Sequence, residues 1–170
     1  MSGPGPGQVN VVVANEQDEV AIDAGRWASP ARRVLLDEGR RGELTLTFVD
    51  RAEIRELNRE HMGVDAPTDV LSFPLDDGLD AGHGTVEQPP VLLGDVVVCP
   101  AVAEGSAPDH AGSLDDEVAL LVVHGTLHLL GYDHTGVDDT AAMQARELDH
   151  LERSHWHGPA PAEFSLTHRD

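Results

Sequence analysis

Val122-Val123-His124-Gly125-Thr126-Leu127-His128-Leu129-Leu130-Gly131-Tyr132-Asp133-His134 is the stretch from which the fold can be read. Its apolar residues continue a run that starts near Leu114, and Ser113 with Asp116 forms a capping pair, so the pattern predicts a helix over 114–130. His124 and His128 are four apart, which on a helix puts both imidazoles on one face, one turn apart. Gly131 suits a left-handed turn that ends the helix and turns His134 back toward the other two. Three imidazoles on one ion leave a fourth position open, as a catalytic zinc site requires. Neutral imidazoles favour zinc over magnesium or calcium, although nickel, cobalt or iron would also fit. Such an ion lowers the pKa of bound water from about 15.7 toward 7, or polarises a phosphoryl oxygen. Asp133, beside the third ligand, is a candidate proton carrier or hydrogen-bond acceptor, and Tyr132 a candidate for the pocket lining.

Working outward, the rest of the chain alternates short strands and helices. Val9, Val11 and Val13 alternate through residues 8–16, predicting a strand. Residues 23–38 read as a helix with Asp23 at its start, Gly39 at its end, and Trp27, Val34 and Leu35 on one face; Pro30 requires either a start at Ser29–Pro30 or a kink. Leu44, Leu46 and Phe48 mark a strand over 43–49. Asp50 and Glu53 form a capping-box pattern for a helix over 51–61. Short strands follow at 69–73, where Ser72 and Phe73 are candidates for a cleft wall, and at 93–99. A helix is expected to begin near Pro100. The last helix, over 138–155, carries Ala141, Ala145, Leu148 and Leu151 on one face, with Arg146 and Arg153 complementing its dipole. His150, His155 and His157 read as surface residues. Residues 1–7 read as a disordered leader, 75–91 as a mobile loop with Asp76, Asp77 and Asp80 as solvated charge, and 158–170 as a loose tail. The whole is an α+β single domain over 8–157, a small mixed β-sheet with helices packed on it and a zincin-like metal helix.

Composition narrows the function classes. The 170 residues carry 31 Asp and Glu against 11 arginines and no lysine, a formal charge of −20. Bulk attraction for nucleic acid is excluded. Eight of the arginines lie between Arg26 and Arg59, and none lies between His61 and Ala145. An anionic substrate must therefore be drawn by the N-terminal part, by a metal or by helix ends. The lone Cys99 excludes a disulfide framework and a Cys-rich zinc module. No apolar run reaches membrane length and no secretory signal is legible, so a soluble cytoplasmic protein is expected.

The full string H-x3-H-x2-G-x2-H matches the ligand spacing of metzincin proteases. Those proteases place a general-base glutamate directly after the first histidine. Here that position is Gly125, which cannot act as a base, so peptide hydrolysis by that route is disfavoured while metal binding is not. The segment HGTLHLLGYDH resembles the signature of the YbeY family of bacterial metal-dependent endoribonucleases. Pro67-Thr68-Asp69-Val70-Leu71-Ser72-Phe73-Pro74, Leu93-Gly94-Asp95-Val96 and Leu57-Asn58 agree in order and spacing, and the resemblance spans roughly residues 9–155. It implies one zinc ion held by His124, His128 and His134, and cleavage of single-stranded RNA. It further implies processing of ribosomal RNA precursors, notably the 3′ end of 16S rRNA, work with the small ribosomal subunit or its proteins, and a part in ribosome quality control. One departure stands out: the family commonly carries an arginine shortly after Leu-Asn, where this chain has Met62. Phosphoryl transfer needs positive charge on the phosphate oxygens, and Arg59, one helical turn earlier, is the candidate substitute. Two other function classes are compatible with the residues. One is a metallohydrolase acting on a peptide or small ester, and the other is a ribosome-binding factor whose zinc is structural.

Overall fold

The alternating valines build strand β1 (Val9–Asn15) at one edge of a four-stranded sheet. The computed structural model describes residues 9–75, 92–107, 113–131 and 137–160. Strands β2 (Gly42–Phe48), β3 (Val70–Pro74) and β4 (Leu92–Val98) complete the sheet in the order β1-β2-β4-β3. β1 and β4 run parallel to β2, and β3 pairs antiparallel with β4, so the sheet is mixed as expected. Among the described residues five α-helices accompany it: α1 (Ala28–Asp37), α2 (Arg51–Met62), α3 (Pro100–Ser106), α4 (Leu114–Leu129) and α5 (Val137–Leu151).

Alternation sorts the strand residues between two cores. Leu44, Leu46, Phe48, Val96 and Val98 face α1 and α4, while Leu71, Val97 and Cys99 join Ile54 of α2 on the other side. Burial pushes the Cys99 thiol above its usual range, so it stays protonated and unreactive at neutral pH. Helix α4 is buried from Glu117 through Leu127 with no exposed stripe, because the sheet, α1, α3 and α5 surround it.

The caps were largely legible. Asp50 Oδ1 accepts from Glu53 N at 2.8 Å and Ser113 Oγ from Asp116 N at 3.1 Å. Of the two readings for Pro30, a start near Ser29–Pro30 is the close one: α1 begins at Ala28, one residue before Ser29. A 3-10 turn, Ala24–Trp27, runs into α1, and Pro30 occupies the first α-helical turn, where its missing N–H breaks no bond. Asp23 makes no side-chain cap. At the other end Gly39 takes φ +72°, with Gly39 N bonded to Leu36 O and Arg40 N to Leu35 O, a Schellman stop.

Helix α5 departs from expectation. Its α-helical part ends at Leu151 and continues as a π-type turn, Glu152–Trp156. Ala141 and Ala145 are exposed; the inward face is Met143, Glu147, His150 and Leu151. Apolar spacing misassigned this face because two ionisable residues on it are satisfied from distant parts of the chain. His150 is not a surface residue: it is fully buried with Nε2 2.8 Å from Glu38 Oε2. His155 is likewise packed, 5.9 Å from the Trp27 ring, with Nε2 2.8 Å from Asp116 Oδ1. Arg146 pairs with Glu38 and Arg153 with Asp37, clamping α5 to the end of α1. Burial alone would raise the Asp37 carboxyl, but the hydrogen bond from Arg153 and the charges of Arg153, Arg33 and His150 hold it below the usual carboxylate range. His157 is exposed, as expected, and the chain beyond it is tied by Ala160 N to Glu152 Oε2 at 3.1 Å. The expected leader, the 76–91 loop with its aspartates, and residues 161–170 of the tail lie outside the described residues.

Gly94 shows why β4 carries a glycine. The register slips opposite Glu43 and Leu44, and Gly94 sits there with φ +138°. A Cβ on it would lie 2.3 Å from Phe73 O and 3.0 Å from Pro74 Cα, both backbone atoms of the paired strand. Gly94→Ala is therefore expected to cost about 3 kcal/mol, the sum of positive-φ strain and overpacking. A chain of this size should then melt roughly 6–12 °C lower. An unchanged melting temperature would show that the bulge tolerates a side chain.

Candidate metal centre

The C-terminal half of α4 lies against β3 and β4, and the contact is made through Gly125. A Cβ there would lie 2.7 Å from Val96 Cγ1, 3.0 Å from Val70 Cγ2 and 3.4 Å from Ser72 Oγ. Ser72 Oγ donates to Gly125 O at 2.8 Å, so the strand also holds the helix by a hydrogen bond. The close approach explains the glycine at the position where a metalloprotease keeps its base.

With Gly125 on the sheet, the next helical faces are turned to a cleft of about 510 Å³. His124 and His128 both line it, their ring centroids 4.8 Å apart and their planes at 72°. His124 is only 4% exposed. Its Nδ1 contacts Glu147 Oε2 across from α5, and Glu147 is 1% exposed. A ring whose Nδ1 is given to a carboxylate can serve an ion only through Nε2. These two rings thus fit a metal in spacing and in chemistry. The third expected ligand, His134, lies outside the described residues, together with Tyr132 and Asp133. Among the described residues, no three His, Cys, Asp or Glu side chains gather around a point that could hold an ion. Gly131 does take positive φ, +106°, directly after the helix, with Gly131 N bonded to His128 O.

The opposite wall comes from α2 and the segment that leads into β3. Asn58, 6% exposed, lines the cleft and donates from Nδ2 to Ala66 O at 2.9 Å. Its own carbonyl accepts from Gly63 and Val64. Asn58 therefore shapes the turn that delivers Thr68, Asp69 and Ser72 to the cleft. Ser72 lines the cleft, while Phe73 packs edge-on against His61 at 4.9 Å. Met62 and Val64 also line the cleft, and both are exposed. Arg59 points elsewhere on α2: its guanidinium pairs with Glu56 and lies 3.9 Å from Glu60, and it is not among the lining residues.

Positive charge is scarce near this cleft. Arg26, Arg33, Arg55, Arg59, Arg146 and Arg153 are all engaged by carboxylates of this chain. No arginine lines the cleft among the described residues. Glu147 and Asn58 are the two site residues that reading the sequence for chemistry passed over or used only as a motif letter. Glu147 carried no local signal, and its meaning depends on a helix 23 residues away.

The sequence matches a family model described as Endoribonuclease YbeY over residues 12–155. Among curated relatives, an Endoribonuclease YbeY of Pelotomaculum thermopropionicum is 45% identical over 148 residues, covering 84% of this chain and 95% of the relative. One from Frankia casuarinae is 43% identical over 137 residues, covering 78% and 68%. A solution structure from Thermotoga maritima superposes with a TM-score of 0.55 at 24% identity, covering 84% of this chain and 87% of that one, which supports the fold.

Proposed function

The chain belongs to the YbeY family of endoribonucleases, and from that membership we propose that it is a metal-dependent endoribonuclease that cleaves single-stranded RNA in the processing of ribosomal RNA. The observation that carries this reading is the pair of cleft-lining imidazoles on α4, with His124 backed by a buried carboxylate. His124, His128 and His134 would hold one zinc ion. The ion would supply an activated water or a Lewis acid for the scissile phosphate. In a cleft that no arginine lines among the described residues, it would also be the main positive charge facing the phosphodiester.

The chain's own residues do the rest. Helix α4 presents two imidazoles at fixed spacing, and Gly125 lets the helix press on the sheet so that they face the cleft. Asn58 and Ser72 hold the two walls by bonds to backbone carbonyls. The exposed Met62 and Val64 offer apolar surface suited to an unstacked base, which fits single strands better than duplex. Asp133 and Tyr132, next to His134 in the sequence, would serve as proton carrier and pocket lining. Arg59 would reach substrate phosphate only by leaving Glu56. The 3′ end of 16S rRNA, ribosome quality control and a cytoplasmic location with the small subunit belong to this proposal; no described helix is long and apolar enough to cross a membrane.

The test compares single-stranded RNA, duplex RNA and casein before and after dialysis against a chelator. Single-stranded RNA should be cut, casein should not, and the chelated protein should regain cleavage with zinc. Cleavage that survives complete metal removal would overturn the proposal.

A further inference from the structure

We propose that Glu147 is a positioning residue of the metal centre: by accepting the Nδ1 proton of His124 it fixes the ring tautomer and presents Nε2 to the ion. The inference rests on the metal-site reading above. Glu147 projects from the inward face of α5 between Met143 and Leu151, both buried, and is itself 1% exposed. A polar group buried in such surroundings needs a specific hydrogen-bonding partner. Its partner is His124 Nδ1, on a ring that is 4% exposed and also lines the cleft. In this proposal the carboxylate oxygen accepts and the proton between them sits on Nδ1. The lone pair of the imidazole then lies on Nε2, on the other edge of the ring. A carboxylate behind a ligating histidine orients the ring and raises its basicity. Helix α5 thereby becomes part of the metal site, although neither its sequence pattern nor its place in the chain suggests it.

A simple inter-helix tether would also put these two groups in contact, so the test needs readouts that a tether does not move. Zinc dissociation constants for the wild type, Glu147→Gln and Glu147→Ala can be measured by competition with a chromophoric chelator. Long-range 15N–1H spectra of the metal-free proteins report the His124 tautomer directly. Glu147→Ala should weaken zinc binding by about 10- to 100-fold. Glu147→Gln, whose amide oxygen can still accept from Nδ1, should fall between it and the wild type. The metal-free wild type should show His124 protonated on Nδ1, with the Ala variant shifted toward the other tautomer. Equal zinc affinities in the three folded proteins, or a wild type protonated on Nε2, would overturn the inference. Should the wild type bind no zinc at all, the metal-site reading fails and the metal role of Glu147 with it, whereas equal affinities among proteins that do bind zinc overturn the role of Glu147 alone.

Discussion

Replacing His128 with alanine is expected to strip the protein of its metal and of its RNA cleavage while leaving the fold in place. The two consequences separate because of where the ring sits. His124 is buried against Glu147, whereas His128 is partly exposed at the cleft, in the last turn of α4. Truncating it removes little packing, and alanine is the better helix former. Circular dichroism should therefore be unchanged. The metal loses one of three expected ligands, so its affinity should drop by more than the roughly 10- to 100-fold that a supporting residue contributes. Elemental analysis of the purified variant should find metal falling from about one ion per chain to near none. Cleavage of single-stranded RNA should fall to background, and added zinc should not restore it at concentrations that saturate the wild type. Arg59→Ala is the informative companion. It tests whether the Arg59 guanidinium leaves Glu56 for substrate, and its metal content should match the wild type whatever its activity. A His128→Ala protein that retains a full complement of zinc and cuts RNA would remove the basis of the proposed site.

The extent to which this molecule could be read from its residues follows the reach of each interaction along the chain. Helix α4, its Ser113 cap and the i, i+4 histidine pair depend on neighbours within a turn, and they were legible to within a residue or two. The strands were legible because alternation records which side of a sheet each residue faces. Helix α5 shows where this breaks down. Counting apolar residues turned Ala141 and Ala145 inward, whereas the buried face carries Glu147 and His150. Each is satisfied by a group far away in sequence, His124 at 23 residues and Glu38 at 112. Periodicity cannot distinguish a paired buried charge from a solvated one. Asn58 was visible only as a letter in a motif; its work, holding Ala66 O and the turn after α2, needs the folded chain. Gly94 read only as a letter in a motif, and Gly125 only as a missing base, until the atoms a Cβ would strike are known.

Gly125→Glu, which completes a protease-like His-Glu-x-x-His string, is expected to give a misfolded protein rather than a peptidase. In a metalloprotease that glutamate needs open space beside the ion. Here the Cβ would already be 2.7 Å from Val96 Cγ1 and 3.0 Å from Val70 Cγ2. Val96 is fully buried in the centre of the sheet, so its methyl has nowhere to move. Overpacking of this kind costs about 1–3 kcal/mol. Beyond Cβ, four more heavy atoms and a charge must pass into the same wall, and an unpaired buried carboxylate adds several kcal/mol. The better helix propensity of glutamate returns less than about 1 kcal/mol. The total is a large share of the roughly 5–15 kcal/mol that holds a typical domain folded. The variant should therefore be insoluble, or melt at least about 10 °C below the wild type. It should cut neither casein nor RNA, because α4 must lift from β3 and β4 and carry His124 and His128 out of register with the cleft. Gly125→Ala should show the first part of the same effect, a smaller drop in melting temperature with zinc binding retained. A soluble Gly125→Glu protein of wild-type stability that hydrolyses casein would mean that α4 does not need its contact with the sheet. The close packing would then no longer account for a glycine at the position where a metalloprotease keeps its base.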